Sequence, residues 1–306
     1  MGQIFGTDGV RGVANEELTP ELSLKLGKAG GVFLKNNSSK SENFFVLIGK
    51  DTRISGNMLE SALIAGFNSV GVNVIKLGIV STPAVSYLTN NTDAIGGVMI
   101  SASHNPIEDN GIKFFNKDGF KLTDKQELTI EEYILDKKEI CKPVGTDIGD
   151  IIKREKLLKQ YEDYLLDIID VSFEGFKIVL DCANGAAYDI APRVFNKLNA
   201  EVIAINNQAN GHEINLDCGS TKPSTVVDEV KRHNADLGIA YDGDADRLIM
   251  VDELGNIIDG DQIMALLALN MKNDGKLNQN TLVTTRYTNL GLDELLNDNG
   301  IQVEKA

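Results

Sequence analysis

Three aspartates at alternate positions, Asp242, Asp244 and Asp246, lie in the run DGDADR. In an extended segment, residues two positions apart point the same way, so these three carboxylates can converge on one hard cation. Three oxygen ligands leave coordination positions for water or a phosphate oxygen, an arrangement that suits Mg²⁺ in phosphoryl transfer. An EF-hand is disfavoured because the residues after Arg247 are apolar. The spacing favours a magnesium site and leaves an acidic surface turn as the alternative.

The run SASHNP at residues 101–106 contains two serines and a histidine. Adjacent Ser and His side chains usually diverge, so Ser103 and His104 do not make a catalytic dyad on sequence grounds. A capped turn and a nucleophilic serine are both compatible with this run.

Three cations lie close to glycines: Arg11 in GTDGVRG, Arg53 in GKDTRISG and Lys113 in NGIKFF. Such loops can approach a phosphate with backbone N–H groups while one cation pairs with it. Each cation, taken individually, is also compatible with a solvated surface charge. The run CANGAA at 182–187 follows a predicted strand but does not match the dinucleotide-binding fingerprint, so no nicotinamide cofactor is predicted.

The length and charge of the chain limit its partners. A chain of 306 residues is too long to fold around one ordinary hydrophobic core, which predicts two domains plus part of another. With 45 acidic and 30 basic side chains the formal net charge is −15, which argues against nucleic acids and anionic membranes as partners. An anionic ligand therefore requires positive charge concentrated locally, by a metal or by a few Arg and Lys side chains.

The three cysteines, Cys141, Cys182 and Cys218, are odd in number and widely spaced, which disfavours a disulfide framework and a zinc site. They predict free thiols in a reducing compartment. The N-terminal residues lack the features of a signal peptide, and no apolar run reaches the length of a membrane span. We therefore predict a cytoplasmic protein.

Short apolar runs alternate with amphipathic stretches, a pattern that predicts strands joined by helices in mostly parallel sheets. SASHNP directly follows a predicted strand, at the position where open α/β sheets tend to bind ligands. Ser55 is the predicted cap of the first of these helices. In this part of the chain the predicted strands are 44–51, 72–78 and 94–101, and the predicted helices are 55–71 and one from Thr82.

A second alternation follows a mixed stretch, 136–149, which we interpret as a domain seam, and it leads to DGDADR. The residues ELGN then predict a hairpin turn, and a third alternation begins after Gly260. The predicted domains are 1–149 with the serine loop (SASHNP, 101–106), 150–258 with the acidic loop (DGDADR, 242–247), and 259–306 as the start of a third. The corresponding helices are 150–170, 187–198, 224–233, 261–272 and 289–298, and the strands are 176–182, 201–206, 235–241, 281–285 and one from Ile301.

Four ordered motifs resemble those of a known family: FGTDGVRG, SASHNP followed by DNGIKFF, DCANGA, and DGDADR followed by GDQ. Together they closely resemble the α-D-phosphohexomutase superfamily over essentially the whole chain, and TDGVRG is most similar to the members that act on glucosamine phosphates. The resemblance implies tandem α/β domains with mixed, mostly parallel sheets. It also implies a third domain that is incomplete and a fourth that is absent, because the family's chains continue well beyond the position of Ala306.

The resemblance assigns roles to the candidate residues. It implies that Ser103 is carried as a phosphoserine, and that its oxygen completes a Mg²⁺ site with the three aspartates. Arg11 and Lys113 would flank the phosphoserine, and Lys113 would do acid/base work if its neighbours lower its pKa. The other candidates for contact with the substrate or its phosphate are Arg247, Arg53 and His104, the last chiefly as a loop-ordering residue.

The implied reaction interconverts glucosamine 6-phosphate and glucosamine 1-phosphate through a sugar 1,6-bisphosphate, in a family whose members are often dimers. We expect weak or no turnover from these residues alone, because the family's sugar-selecting loop and its loop for the distal phosphate do not occur here. The alternatives are a mutase acting on glucose or mannose phosphates, a non-catalytic binder of sugar phosphate or Mg²⁺, and a phosphatase with Asp242 as its nucleophile.

One departure from the family pattern bears on the metal site. Ala245 stands where the family usually has Gly. We expect this change to be tolerated if the backbone at Ala245 is not left-handed.

Overall fold

The first sheet carries the serine loop at one end of its strands. A computed structural model describes residues 2, 4–40, 42–135, 137–154 and 156–306. Within these residues the first sheet contains β1 (Val10–Val13), β2 (Phe45–Lys50), β3 (Asn73–Ile79), β4 (Gly96–Ile100), β5 (Asp109–Asn116) and β6 (Ile151–Ile152). Their order across the sheet is β1-β5-β4-β2-β3-β6. Strand β5 is antiparallel to β1 and β4, and the other pairs are parallel.

Helices cover both faces of this sheet. They are α1 (Pro20–Asn36), α2 (Ser55–Asn68), α3 (Thr82–Asn90), α4 (Asp124–Ile134) and α5 (Leu157–Asp167). Val46 and Ile48 of β2 lie in a core shared with α1 and α2, whereas Phe45 and Leu47 lie in a core shared with α3 and α5. Burial on both faces explains why β2 appears in the sequence as an unbroken apolar run.

The first residues of α3 and α2 can be compared with the sequence predictions. Helix α3 begins as predicted, since the Ser81 side chain accepts a hydrogen bond from the Ala84 N–H at 3.3 Å. The prediction that Ser55 caps α2 is wrong, because Ser55 is already helical. Its hydroxyl instead accepts a hydrogen bond from Asn110 at 2.9 Å.

The second sheet carries the acidic loop. Its strands are β7 (Lys177–Asp181), β8 (Glu201–Ile205), β9 (Leu237–Tyr241), β10 (Leu248–Asp252) and β11 (Ile257–Ile258), and its helices are α6 (Ile190–Lys197) and α7 (Ser224–His233). The order is β11-β10-β9-β7-β8, with β7 parallel to β8 and β9. The predicted hairpin is confirmed, because β10 pairs antiparallel with β11. Cys182 lies in the core on one face of this sheet, and Cys182 and Cys218 are the two buried cysteines.

The last segment forms a smaller α/β unit. It contains α8 (Gly260–Asn273), β12 (Thr281–Thr284), α9 (Leu290–Asp298) and β13 (Gln302–Lys305), with β12 and β13 parallel. Leu292, Leu296 and Ile301 are buried in its core. The predicted mixed, mostly parallel α/β architecture is confirmed. Among the described helices, none is both long enough and apolar enough to cross a membrane.

The region around the predicted domain boundary, 136–149 and the helix after it, differs most from the sequence prediction. Residue 136 lies outside the described part, and 137–149 contains one short 3₁₀ turn, Gly145–Asp147. The helix predicted from residue 150 begins only at Leu157, because Ile151 and Ile152 pair with β3 in the first sheet. The proposed boundary at residue 149 stays a prediction.

Candidate metal and phosphate site

The serine loop leaves β4 at its carboxyl end and returns as β5. Ser103 has a φ of +54°, a left-handed backbone that non-glycine residues rarely adopt. The Ser101 hydroxyl stabilises this turn, since it accepts a hydrogen bond from the Ser103 N–H at 2.8 Å and donates to Asp51 at 2.6 Å. Strained backbone of this kind is concentrated at functional sites, so the left-handed φ supports Ser103 as a candidate site residue.

Arg53 holds the serine loop and does not face a ligand. It is 2% exposed, and its Nε donates to Asp51 at 3.0 Å. Its terminal nitrogens donate to the backbone carbonyls of Ser103 (3.0 Å), Asn105 (2.7 Å), Asp109 (3.0 Å) and Pro106. All five N–H groups of a guanidinium are therefore used inside the protein. This contradicts the expectation that Arg53 contacts a phosphate.

The acidic loop, 242–247, joins β9 to the antiparallel β10. Its conformation is a turn, so the predicted extended segment is wrong. The Ala245 N–H donates to the Asp242 carbonyl at 3.1 Å, and Ala245 has a φ of +55°. The three aspartates nevertheless converge, with carboxylate oxygens within 4.8 Å of one another. The condition for an easy replacement of Gly by Ala245 is not met, and a left-handed alanine costs about 1–2 kcal/mol.

The serine loop and the acidic loop are in direct contact. The Ser103 hydroxyl donates to Asp242 Oδ2 at 2.7 Å. Asn215, from the loop after β8, donates from Nδ2 to the Ser103 carbonyl at 2.8 Å. Gly243 allows this approach, because a Cβ there would lie 2.6 Å from the Ser103 carbonyl oxygen. The two runs that the sequence singled out therefore form one site.

Lys113 lies beneath the acidic loop and is 3% exposed. Its Nζ lies 2.9 Å from Asp244 Oδ2, 3.2 Å from Asp8 Oδ2 and 4.0 Å from Asp246 Oδ2. Burial lowers the pKa of Lys113, but Asp244 and Asp8 outweigh burial and the net pKa is raised. Lys113 is therefore a cation here, which does not meet the condition of a lowered pKa that acid/base work requires.

Arg11 lies beside the serine loop, in the edge strand β1 of the first sheet. Its strand pairs with β5, opposite Gly111. A Cβ at Gly111 would lie 2.5 Å from the Ser101 carbonyl and 3.1 Å from Arg11 Cγ. Arg11 also pairs with Asp8, the same carboxylate that contacts Lys113. Asp8 thus links the two cations predicted to flank the serine.

Arg247 and His104 form the exposed side of the site. The Arg247 side chain is 53% exposed and pairs with Asp242 at 3.1 Å and with Asp246 at 3.4 Å. Its terminal nitrogen also contacts Ser103 Oγ and His104 Nδ1. Burial and the neighbouring Arg247 lower the pKa of His104, which favours a neutral imidazole that accepts from Arg247. Both side chains therefore border Ser103 Oγ on the exposed side of the site.

The donor set fits a hard divalent cation. Burial and the other two carboxylates raise the pKa of Asp246 to about 6. Although burial acts to raise it, the pKa of Asp244 is lowered by Lys113 and Thr82. Asp244 Oδ1 is buried and, among the described residues, has no hydrogen-bond partner. Mg²⁺ binds oxygen ligands such as carboxylates. The three aspartates supply such oxygens, and Asp244 Oδ1 is a buried one that a cation could satisfy.

Sequence reasoning did not single out Asp8, Asp51, Thr82 or Asn215. Asp8 and Asp51 each lie within a motif that was noted for its arginine, so the motif itself was a signal. Thr82 and Asn215 are far from the serine and acidic loops in sequence, and only the fold brings them to the site.

Family models and similar proteins place the chain in the same family. Family models described as phosphoglucomutase/phosphomannomutase α/β/α domains I, II and III match residues 2–140, 159–255 and 259–306. The chain is 56% identical over 304 residues to the phosphoglucosamine mutase of Clostridioides difficile strain 630. This match covers 99% of the present chain and 67% of that protein.

Solved structures share the fold. A phosphoglucomutase/phosphomannomutase family protein from Burkholderia thailandensis superposes with a TM-score of 0.83 at 23% identity, over 99% of this chain and 65% of that one. The N-acetylphosphoglucosamine mutase of Aspergillus fumigatus, solved with GlcNAc-6P and magnesium, gives a TM-score of 0.58 at 17% identity, over 99% and 62%. The chain thus spans about two thirds of the length of these proteins.

Proposed function

Because the chain belongs to the phosphoglucosamine mutase family of isomerases, we propose that it interconverts glucosamine 6-phosphate and glucosamine 1-phosphate through a phosphorylated Ser103. The observation that carries the proposal is the contact between Ser103 Oγ and Asp242 within the three-carboxylate cluster. A nucleophilic oxygen beside hard-metal ligands is what phosphoryl transfer between two oxygens needs.

Asp242, Asp244 and Asp246 would hold Mg²⁺ together with an oxygen on Ser103. When bound, the ion supplies positive charge to the oxygens of the transferring phosphoryl group. The unpartnered Asp244 Oδ1 and the closeness of the three carboxylates support this site. The related A. fumigatus mutase was solved with magnesium.

The chain's own residues supply the rest of the transfer. The bond between Ser103 Oγ and phosphorus breaks with its electron pair going to Oγ, and a bond forms from the sugar hydroxyl oxygen to phosphorus. The proton that the sugar hydroxyl loses passes to Oγ. Arg247 contacts Oγ and balances the charge that it gains. Lys113, held protonated by Asp244 and Asp8, acts as a fixed cation beneath the acidic loop. The bisphosphate then returns its other phosphoryl group to Ser103 Oγ, and the proton of the serine hydroxyl passes to the sugar oxygen that leaves.

The test begins with transfer of a phosphoryl group to the protein. Purified protein is incubated with glucosamine 1,6-bisphosphate and Mg²⁺, and intact mass with peptide sequencing locates the modification. We expect one phosphoryl group on Ser103, its loss in Ser103→Ala and its retention in Ser61→Ala, an exposed serine on α2. Ser101→Ala is not a suitable control, because the Ser101 hydroxyl supports the Ser103 backbone.

The substrate is tested separately by turnover. Formation of glucosamine 1-phosphate is compared with the conversion of glucose and mannose phosphates under the same conditions. Equal rates would overturn the substrate assignment. Phosphate found on Asp242 in place of Ser103 would overturn the mechanism and favour an aspartyl phosphatase.

A further inference from the structure

We propose that Thr82 positions Asp244 as a metal ligand, an inference that rests on the Mg²⁺ site of the proposed function. The Thr82 hydroxyl donates to Asp244 Oδ2 at 2.6 Å. The Thr82 N–H donates to the backbone carbonyl of the same aspartate at 2.9 Å. One residue of the first sheet's layer therefore fixes both the main chain and the side chain of a residue in the second sheet's loop.

The two oxygens of Asp244 have different surroundings. Asp244 is 0% exposed, and its Oδ2 accepts from Thr82 and from Lys113 Nζ at 2.9 Å. Its Oδ1 is buried and has no hydrogen-bond partner within the described part of the chain. Two donors on one oxygen set the orientation of the carboxylate, so that Oδ1 remains as the atom that can bind a cation. Buried carboxylate oxygens without a partner are costly unless a ligand satisfies them.

Thr82 can act as a rigid donor because of where it lies. It is the first residue of α3, whose start is fixed by the Ser81 cap and whose residues Ala84, Val85 and Leu88 are buried in a core of the first sheet. The N–H groups in the first turn of a helix have no partner within the helix, and Thr82 uses one of them on the Asp244 carbonyl. Threonine is also branched at Cβ, which restricts its χ1 rotation.

Thr82 and Lys113 contribute differently to the site. Lys113 brings a positive charge that opposes a divalent ion, whereas the threonine hydroxyl orients Asp244 without altering its charge. Partners that orient a metal ligand typically change metal affinity by roughly 10–100-fold when they are removed. Loss of the Thr82 hydroxyl should therefore weaken Mg²⁺ binding by that factor while the net charge of the site stays the same.

The experiment measures Mg²⁺ binding to the unphosphorylated protein by isothermal titration calorimetry. Thr82→Val removes the hydroxyl at nearly constant shape, and Thr82→Ser retains it. Thr129→Val is the matched control, since within the described ranges the Thr129 hydroxyl bonds only to its own helix, at the Lys125 carbonyl. Thermal unfolding of each variant in EDTA reports the stability of the fold without metal.

We expect Thr82→Val to bind Mg²⁺ roughly 10–100-fold more weakly, with Thr82→Ser and Thr129→Val close to the parent protein and all four midpoints in EDTA alike. Undiminished Mg²⁺ affinity in Thr82→Val would overturn this inference alone. A similar loss of affinity in Thr82→Ser, or a loss that follows a fall in the EDTA midpoint, would also overturn it, because the role would then be structural. Absence of Mg²⁺ binding in the parent protein would instead overturn the metal site of the proposed function.

Discussion

Gly243→Ala tests whether close contact between the serine loop and the acidic loop is required for phosphoryl transfer. Gly243 lies between Asp242 and Asp244, and a Cβ at this position would lie 2.6 Å from the Ser103 carbonyl oxygen and 2.9 Å from Asn215 Nδ2. The φ of Gly243 is not in the left-handed region, so alanine adds a steric conflict without backbone strain.

The size of the effect can be worked from these distances. Ordinary van der Waals contact begins near 3.4 Å, so the Ser103 carbonyl must retreat by about 0.8 Å from 2.6 Å. The same movement would lengthen the 2.7 Å bond between Ser103 Oγ and Asp242 to about 3.5 Å, at the limit of a hydrogen bond. Overfilling a packed site costs about 1–3 kcal/mol. A misplacement near 1 Å reduces the rate of a positioned reaction by about 100-fold, so we expect a rate roughly 10- to 100-fold lower.

The assay is the time course of Ser103 phosphorylation by glucosamine 1,6-bisphosphate, followed by intact mass. Gly260→Ala is the matched control, because a Cβ at Gly260 would meet no atom of the described residues within 4 Å beyond its own helix and chain neighbours, and its φ is also ordinary. Unfolding in urea is measured alongside for both variants. If Gly243→Ala becomes phosphorylated as fast as Gly260→Ala, close contact between the two loops is not required for transfer.

Buried charges and thiols carry the remaining predictions. Arg53→Ala leaves Asp51 without its buried partner and should lower the free energy of unfolding in urea by about 3–5 kcal/mol. The exposed Arg232→Ala should lower the free energy of unfolding by at most about 1 kcal/mol. Equal losses of stability in the two variants would argue against the role of Arg53 in holding the serine loop. With a thiol reagent near neutral pH, the exposed Cys141 should react in the folded protein, whereas the two buried cysteines, whose pKa burial raises to about 12, should react only after unfolding. Because partial burial and the adjacent carboxylates raise the pKa of Asp246 to about 6, protons compete with Mg²⁺, and calorimetry should show affinity falling by up to about tenfold per pH unit below 6. Asp246→Asn should flatten that dependence, and an unchanged slope would exclude Asp246 as the titrating ligand.

The fold was predictable where local patterns agree with one another. The helix predicted at 224–233 is observed as Ser224–His233, and the ELGN turn joins β10 to β11 as expected. The error at residue 150 has a non-local cause. The Val74 N–H donates to the Asp150 carbonyl, and the next two residues pair with β3, more than seventy positions earlier in the chain. A short edge strand of this kind is determined by a distant partner that the local sequence does not reveal.

The sequence predicted which loops form the site, but it did not predict the role of every residue in them. The SASHNP and DGDADR motifs do meet, Lys113 lies beside them, and Arg247, the last residue of DGDADR, pairs with Asp242. Arg53 was misassigned, because a motif cannot distinguish a guanidinium that faces solvent from one whose five donors are used by Asp51 and by backbone carbonyls. The left-handed turn at Ala245 was likewise hidden, since alanine gives no sign of it.

The charge balance at the two loops explains why a metal and a phosphoryl group should depend on each other. Among the described residues, four carboxylates there face three cations, a deficit of one positive charge. The carboxylates are Asp8, Asp242, Asp244 and Asp246, and the cations are Arg11, Lys113 and Arg247. A divalent ion reverses that deficit to an excess of one, and a phosphoserine adds about −1.5 to −2, which brings the total back to between −0.5 and −1. Each therefore removes a charge imbalance that the other creates, and binding linkage is reciprocal. We therefore expect the Mg²⁺ affinity of the site to rise when Ser103 is phosphorylated, and the phosphoserine to be more stable when Mg²⁺ is bound.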